Sequence, residues 1–84
     1  SLTDKFNAFG FNTIEINGHN HDDIYNALNN KDVTRPNAII AKTIKGKGVS
    51  FMENQIKWHH GVPSEEQYHQ AQNELDNVLQ SLID

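Results

Sequence analysis

The run Ala38-Ile39-Ile40-Ala41 constrains this chain more than any other feature. Four consecutive apolar residues, bounded by Arg35-Pro36-Asn37 before and Lys42 after, leave no polar face for solvent. A strand of this pattern needs cover on both sides, as inside a parallel sheet. Upstream, residues 11–16 read as a second strand, with Ile14 and Ile16 on one face and Glu15 on the other. Asn17-Gly18 ends that strand as a turn. Asp22 and Asp23 follow where a helix N-terminus favours negative charge, and Ile24, Ala27 and Leu28 at helical spacing carry the helix to about Asn30. Strand, helix and covered strand form a βαβ unit, whose crossover is expected to be right-handed.

Two helices are expected to flank this unit. Thr3 is placed to cap a short helix carrying Leu2, Phe6 and Phe9, with Gly10 as its stop. Pro63-Ser64-Glu65-Glu66-Gln67 is a strong helix start: Ser64 as N-cap, Gln67 three residues later to complete a capping box, and acids in the first turn. Tyr68, Ala71, Leu75, Val78, Leu79 and Leu82 then make an apolar stripe along an amphipathic helix. Residues 49–62 read as irregular, and no internal repeat or low-complexity tract interrupts the chain. The fold class is therefore α/β, a βαβ fragment with parallel strands. Two strands do not make a stable parallel sheet covered on both faces, so neighbouring strands must come from elsewhere. Residues 1–84 accordingly read as a single partial domain, of marginal stability at this size and with no cysteine to staple it.

The charge balance narrows the partners. A net charge of −4 argues against general nucleic-acid binding. No apolar run approaches a membrane span, and Ser1-Leu2-Thr3-Asp4-Lys5-Phe6 lacks the pattern of a signal peptide. With no cysteine present, a cytoplasmic location is the expectation. Within this acidic chain Lys42, Lys45, Lys47 and Lys57 form a basic island, with only Glu53 among them and His59 and His60 directly after. Such an island points to an anion such as a phosphate; the plainer reading is a solvated lysine-rich loop.

Three groups of residues carry possible chemistry. Lys42-Thr43-Ile44-Lys45-Gly46-Lys47-Gly48 is a glycine-rich loop beyond the carboxyl end of the second strand, the edge where open α/β sheets bind ligands. Its spacing is not that of a P-loop, and no helix follows it directly. Trp58-His59-His60-Gly61-Val62-Pro63 sets two imidazoles on a loop, able to hydrogen-bond a phosphate or to move a proton near neutral pH; the plainer reading is loop histidines with no role. His19 and His21, with His59 and His60, have the chemistry of a zinc set. The first pair is more economically a turn with a helix cap, so no metal ligand is assigned in this chain.

Taken in order, these segments resemble the transketolase family. Residues 6–30, from Phe6-Asn7-Ala8-Phe9-Gly10-Phe11 through Asn17-Gly18-His19-Asn20-His21-Asp22-Asp23-Ile24 to Ala27-Leu28, are similar to the family segment AFGW…EVDGHD…I..AL. Residues 36–63, from Pro36-Asn37-Ala38-Ile39-Ile40-Ala41-Lys42-Thr43-Ile44-Lys45-Gly46-Lys47-Gly48-Val49-Ser50-Phe51-Met52-Glu53-Asn54 to Trp58-His59-His60-Gly61-Val62-Pro63, are similar to P..IIAKTIKGKGVSFMEN…WHG..P. The variant with Phe51-Met52-Glu53-Asn54 most resembles the N-terminal subunits of split bacterial transketolases, and deoxyxylulose-phosphate synthases share a looser version.

The resemblance implies a C-terminal portion of the thiamine-diphosphate-binding domain. The reaction it implies is transfer of a two-carbon ketol unit between sugar phosphates in the pentose phosphate pathway, with thiamine diphosphate and magnesium as cofactors. Lys45 aligns with a lysine near the cofactor's diphosphate. His59, by unbroken alignment from Trp58, aligns with a histidine touching diphosphate and substrate. The His-Gly-x-Pro spacing of other members fits His60 instead. The family's Gly-Asp-Gly…Asn-Asn stretch for magnesium and its activating glutamate have no counterpart in these residues. The remaining thiamine-binding and pyrimidine domains or subunits are therefore the implied partners, and the chain is expected to be inactive alone. An assembly module that keeps the scaffold without the chemistry is the alternative.

Overall fold

The computed structural model describes residues 1–83, which form two compact units divided between Thr43 and Ile44. The first unit holds helix α1 (Leu2–Ala8), strand β1 (Asn12–Asn17), helix α2 (His21–Asn29) and strand β2 (Asn37–Lys42). β1 and β2 pair in parallel, from Asn12 opposite Asn37 to Asn17 opposite Lys42. The α/β class and the βαβ order read from the sequence are thus present, with strand limits within a residue of expectation.

Local chemistry sets the limits of each element. The cap of α1 differs from expectation: Ser1, not Thr3, is the N-cap, its hydroxyl accepting from the Asp4 N–H. Thr3 lies inside the helix and donates instead to the Glu15 carboxylate at 2.8 Å, tying α1 to β1. A Thr at the third position can reach a cross-element acceptor that a capping Thr cannot, and Ser1 is free to fill the capping role. Phe6 and Phe11 meet edge to face at 5.1 Å beneath the same helix. The Asn17-Gly18 turn forms as read, with the Asn17 side chain accepting from the His19 N–H. Asn20 caps α2 by accepting from the Asp23 N–H, and the Asp23 carboxylate accepts from the Asn17 N–H. The connection into β2 is knitted by Asp32 and Asn37. Asp32 accepts from the Thr34 amide, the Thr34 hydroxyl and Arg35, while Asn37 donates to the Asp32 and Arg35 carbonyls.

β2 is only half covered: Asn37 to Ile40 are intermediate in burial, and Ala41 and Lys42 are exposed. Ala27 is the one buried apolar residue among those described in this unit, and Ile14 and Leu28 stay about half exposed. Ile39 and Ile40 point to opposite faces and both are only half-buried, so a run that needs cover on both faces has it only in part.

The second unit holds a looped segment, a 3₁₀ turn (Ile56–His59) and helix α3 (Glu65–Ile83). The 3₁₀ turn lies within the stretch read as irregular. Its i→i+3 bonding has no apolar period of its own to betray it. α3 starts as expected: the Ser64 hydroxyl accepts from the Gln67 N–H at 3.2 Å, and Gln67 accepts from the Ser64 N–H at 2.9 Å.

Candidate functional site

Residues 44–55 fold back on themselves through a series of turns. Lys47 N–H donates to Ile44, Val49 N–H to Gly46, Met52 N–H to Val49 and Gln55 N–H to Met52. The Asn54 N–H closes the loop onto the Lys45 carbonyl at 2.9 Å. This closure requires glycine at 46, which has φ +73° and lies so near Met52 that a Cβ there would stand 2.6 Å from the Met52 carbonyl oxygen. Val49 is buried beneath the loop, and the Glu53 carboxylate accepts from the Gly48 N–H at 3.2 Å.

The next segment is anchored by Trp58. Its indole N–H donates to the Phe51 carbonyl at 3.0 Å, and its ring meets that of Phe51 at 5.4 Å. The Lys57 ammonium lies 5.6 Å from the centre of the same indole. Gly61 lets the chain turn away, since a Cβ there would stand 2.8 Å from the Lys57 carbonyl and 2.9 Å from the Trp58 ring. His59 ends the 3₁₀ turn and His60 caps it, their rings 4.5 Å apart and nearly perpendicular.

Between loop and turn lies an open depression of about 730 Å³. Lys45 and, fourteen and fifteen positions later, His59 and His60 all line it, along with Gly46, Met52, Gln55, Ile56 and Trp58. One ammonium and two imidazoles stand against an apolar floor, and none of these lining residues is a carboxylate. Such a donor set suits an anion that also presents an apolar part; it does not suit magnesium or calcium, which take oxygen ligands. Among the described residues no group of three or more His, Cys, Asp or Glu comes together as a metal site.

Two features of this unit went unread in the sequence. Met52, Gln55 and Ile56 enter the lining through loop closure, which no spacing rule announces. Glu74 holds Ser50: the Ser50 N–H donates to one carboxylate oxygen at 2.8 Å and the Ser50 hydroxyl to the other. These two bonds, with a further one from Gln70, hold the Glu74 carboxyl below its usual range. The apolar stripe of α3 does not announce it: Gln67, Ala71 and Glu74, at i, i+4 and i+7, are the half-buried residues of the helix, while Tyr68, Leu75, Val78, Leu79 and Leu82 are exposed.

No family model matches the chain. Curated relatives do. An apulose-4-phosphate transketolase subunit of Phocaeicola vulgatus is 43% identical over 84 residues, 98% of this chain and 30% of its own length. The 6-deoxy-6-sulfo-D-fructose transketolase subunit SqwG of a Clostridium species is 39% identical over 77 residues, 89% of this chain and 28% of its own. Transketolase of Mus musculus is 40% identical over 52 residues, 62% of this chain and 8% of its own. The chain thus spans under a third of the length of the curated relatives it matches.

Proposed function

This chain is homologous to a segment of the transketolases, and on that premise we propose that, within a complete transketolase, it receives the diphosphate end of thiamine diphosphate. The observation that carries this reading is the convergence of Lys45, His59 and His60 on one depression in the absence of lining carboxylates. The Lys45 ammonium neutralises diphosphate charge, and Met52, Ile56 and Trp58 supply apolar contact beside it. When bound, thiamine diphosphate supplies the carbanion chemistry of ketol transfer. His59 hydrogen-bonds the diphosphate and holds or moves the proton of a substrate hydroxyl, with His60 as its neighbour. Magnesium accompanying the diphosphate is held by residues outside this chain, as is the group that activates the aminopyrimidine.

The partners are the remaining thiamine-binding and pyrimidine domains or subunits, in keeping with relatives named as subunits. The substrates are anionic ketoses and aldoses. Two relatives are named for a phosphorylated and a sulfonated sugar, and both classes share the anionic group. Ordinary sugar phosphates of the pentose phosphate pathway belong to the same chemistry, and the cytoplasm is the expected compartment. No helix among the described residues is long and apolar enough to cross a membrane.

The test is a calorimetric titration of the complete enzyme with thiamine diphosphate and magnesium. Lys45→Ala is expected to weaken binding by about ten- to a hundredfold, the worth of a charge-assisted contact of roughly 1.5–3 kcal/mol. Affinity unchanged by that substitution would refute the assignment.

A further inference from the structure

Building on that reading of Lys45, we propose that Glu74 is a positioning residue, whose two-pronged hold on Ser50 sets the loop that presents Lys45 to an anionic ligand. Glu74 is not among the residues lining the depression, so its influence must pass through another group. Both its carboxylate oxygens are engaged by Ser50, one by the backbone N–H and one by the hydroxyl. A carboxylate acceptor makes such bonds stronger than neutral ones, and using both oxygens fixes direction as well as distance.

A continuous path leads from Ser50 to the ligand side. Val49, next to Ser50, is buried and accepts from the Met52 N–H, while its own N–H donates to Gly46. Met52 stands against Gly46, and the Asn54 N–H closes onto the Lys45 carbonyl. Residues 44–55 contain no helix or strand, so their conformation depends on these few bonds. α3, by contrast, is a 19-residue helix with a capping box at its start. Glu74 joins the irregular loop to this regular element. Leu75, beside it, lies near Gly48, where an added Cβ would stand 3.4 Å from its side chain.

The experiment measures thiamine diphosphate affinity with magnesium, turnover at saturating cofactor and melting temperature in the complete enzyme. Glu74→Ala is expected to raise the dissociation constant about three- to tenfold, a fraction of the loss from a direct charge-assisted contact. Turnover at saturating cofactor should stay within about twofold, because excess ligand selects the correct loop conformation. Ser50→Ala loses one of the two bonds and should fall between. The double variant should be no worse than Glu74→Ala alone, the non-additivity expected of one network. Glu74→Gln keeps the length and one acceptor, and should show a smaller rise even if Glu74→Ala folds poorly. A lower melting temperature with cofactor affinity unchanged in both Glu74 variants would overturn the proposal, leaving Glu74 a structural residue only. That result beside a weakened Lys45→Ala would leave the diphosphate reading standing. Affinity unchanged in Lys45→Ala would remove the reading and the proposal together.

Discussion

His59 and His60 stand side by side at the end of one 3₁₀ turn, and both face the depression that Lys45 lines. Identical side chains in adjacent positions invite a functional separation by substitution. In the complete enzyme, His59→Ala is expected to lower turnover about a hundredfold, the usual worth of a positioned acid–base group, and to weaken cofactor binding as well. His60→Ala should be mild. Steady-state kinetics at saturating cofactor distinguish the two, and the reverse ranking would transfer the role to His60. Gly46 offers a separate test. A side chain there meets both a left-handed backbone at φ +73° and the Met52 carbonyl 2.6 Å from its Cβ. The conformation alone costs roughly 1–2 kcal/mol. Gly46→Ala should therefore lower the denaturant midpoint of the complete subunit and raise the cofactor dissociation constant, and a variant unchanged in both would show that the loop relaxes freely.

Each of the larger elements depends on a small number of end contacts. α3 begins with reciprocal bonds between Ser64 and Gln67, and Ser64→Ala removes the acceptor for the Gln67 amide. That loss should cost about 1 kcal/mol of local stability and speed hydrogen exchange in the first helical turn. The connection into β2 responds to pH. Bonds from the Thr34 hydroxyl and amide, then from Arg35, lower Asp32 from 3.8 to about 2. A carboxyl whose folded value is depressed contributes fully above its unfolded value and loses that contribution as pH falls through the folded one. Protection of the Thr34 amide should therefore hold above about pH 4 and fall away as pH drops through about 2. Thr34→Val removes the hydroxyl donor and should move the Asp32 titration upward, toward its ordinary range, in an NMR titration of the carboxyl carbon.

At the scale of the whole chain the decisive quantity is cover. Ala27 in one unit and Val49 in the other are the buried apolar residues among those described, while Phe9 is 83% and Ile56 86% exposed. A chain burying so little apolar side chain has little to set against the entropy of ordering it. Isolated, it should melt with low cooperativity by circular dichroism and bind thiamine diphosphate with magnesium weakly or not at all. Micromolar or tighter calorimetric binding by the chain alone would contradict this.

How much was legible beforehand follows from how far each feature reaches along the chain. Residues near in sequence determined the helices, the Asn17-Gly18 turn, the capping box and the two strands, because period, turn chemistry and capping act over a few positions. The continuous apolar run of β2 even announced a need for neighbours that two strands do not meet. Lys45 and the paired histidines were singled out by residue type and by family resemblance. Their meeting in one depression, the 3₁₀ turn that presents His59, and the Ser50–Glu74 link were decided only by tertiary structure. Closing a loop over many residues, or choosing which hydroxyl a carboxylate engages 24 positions away, depends on where the backbone goes in space, and no local period records that.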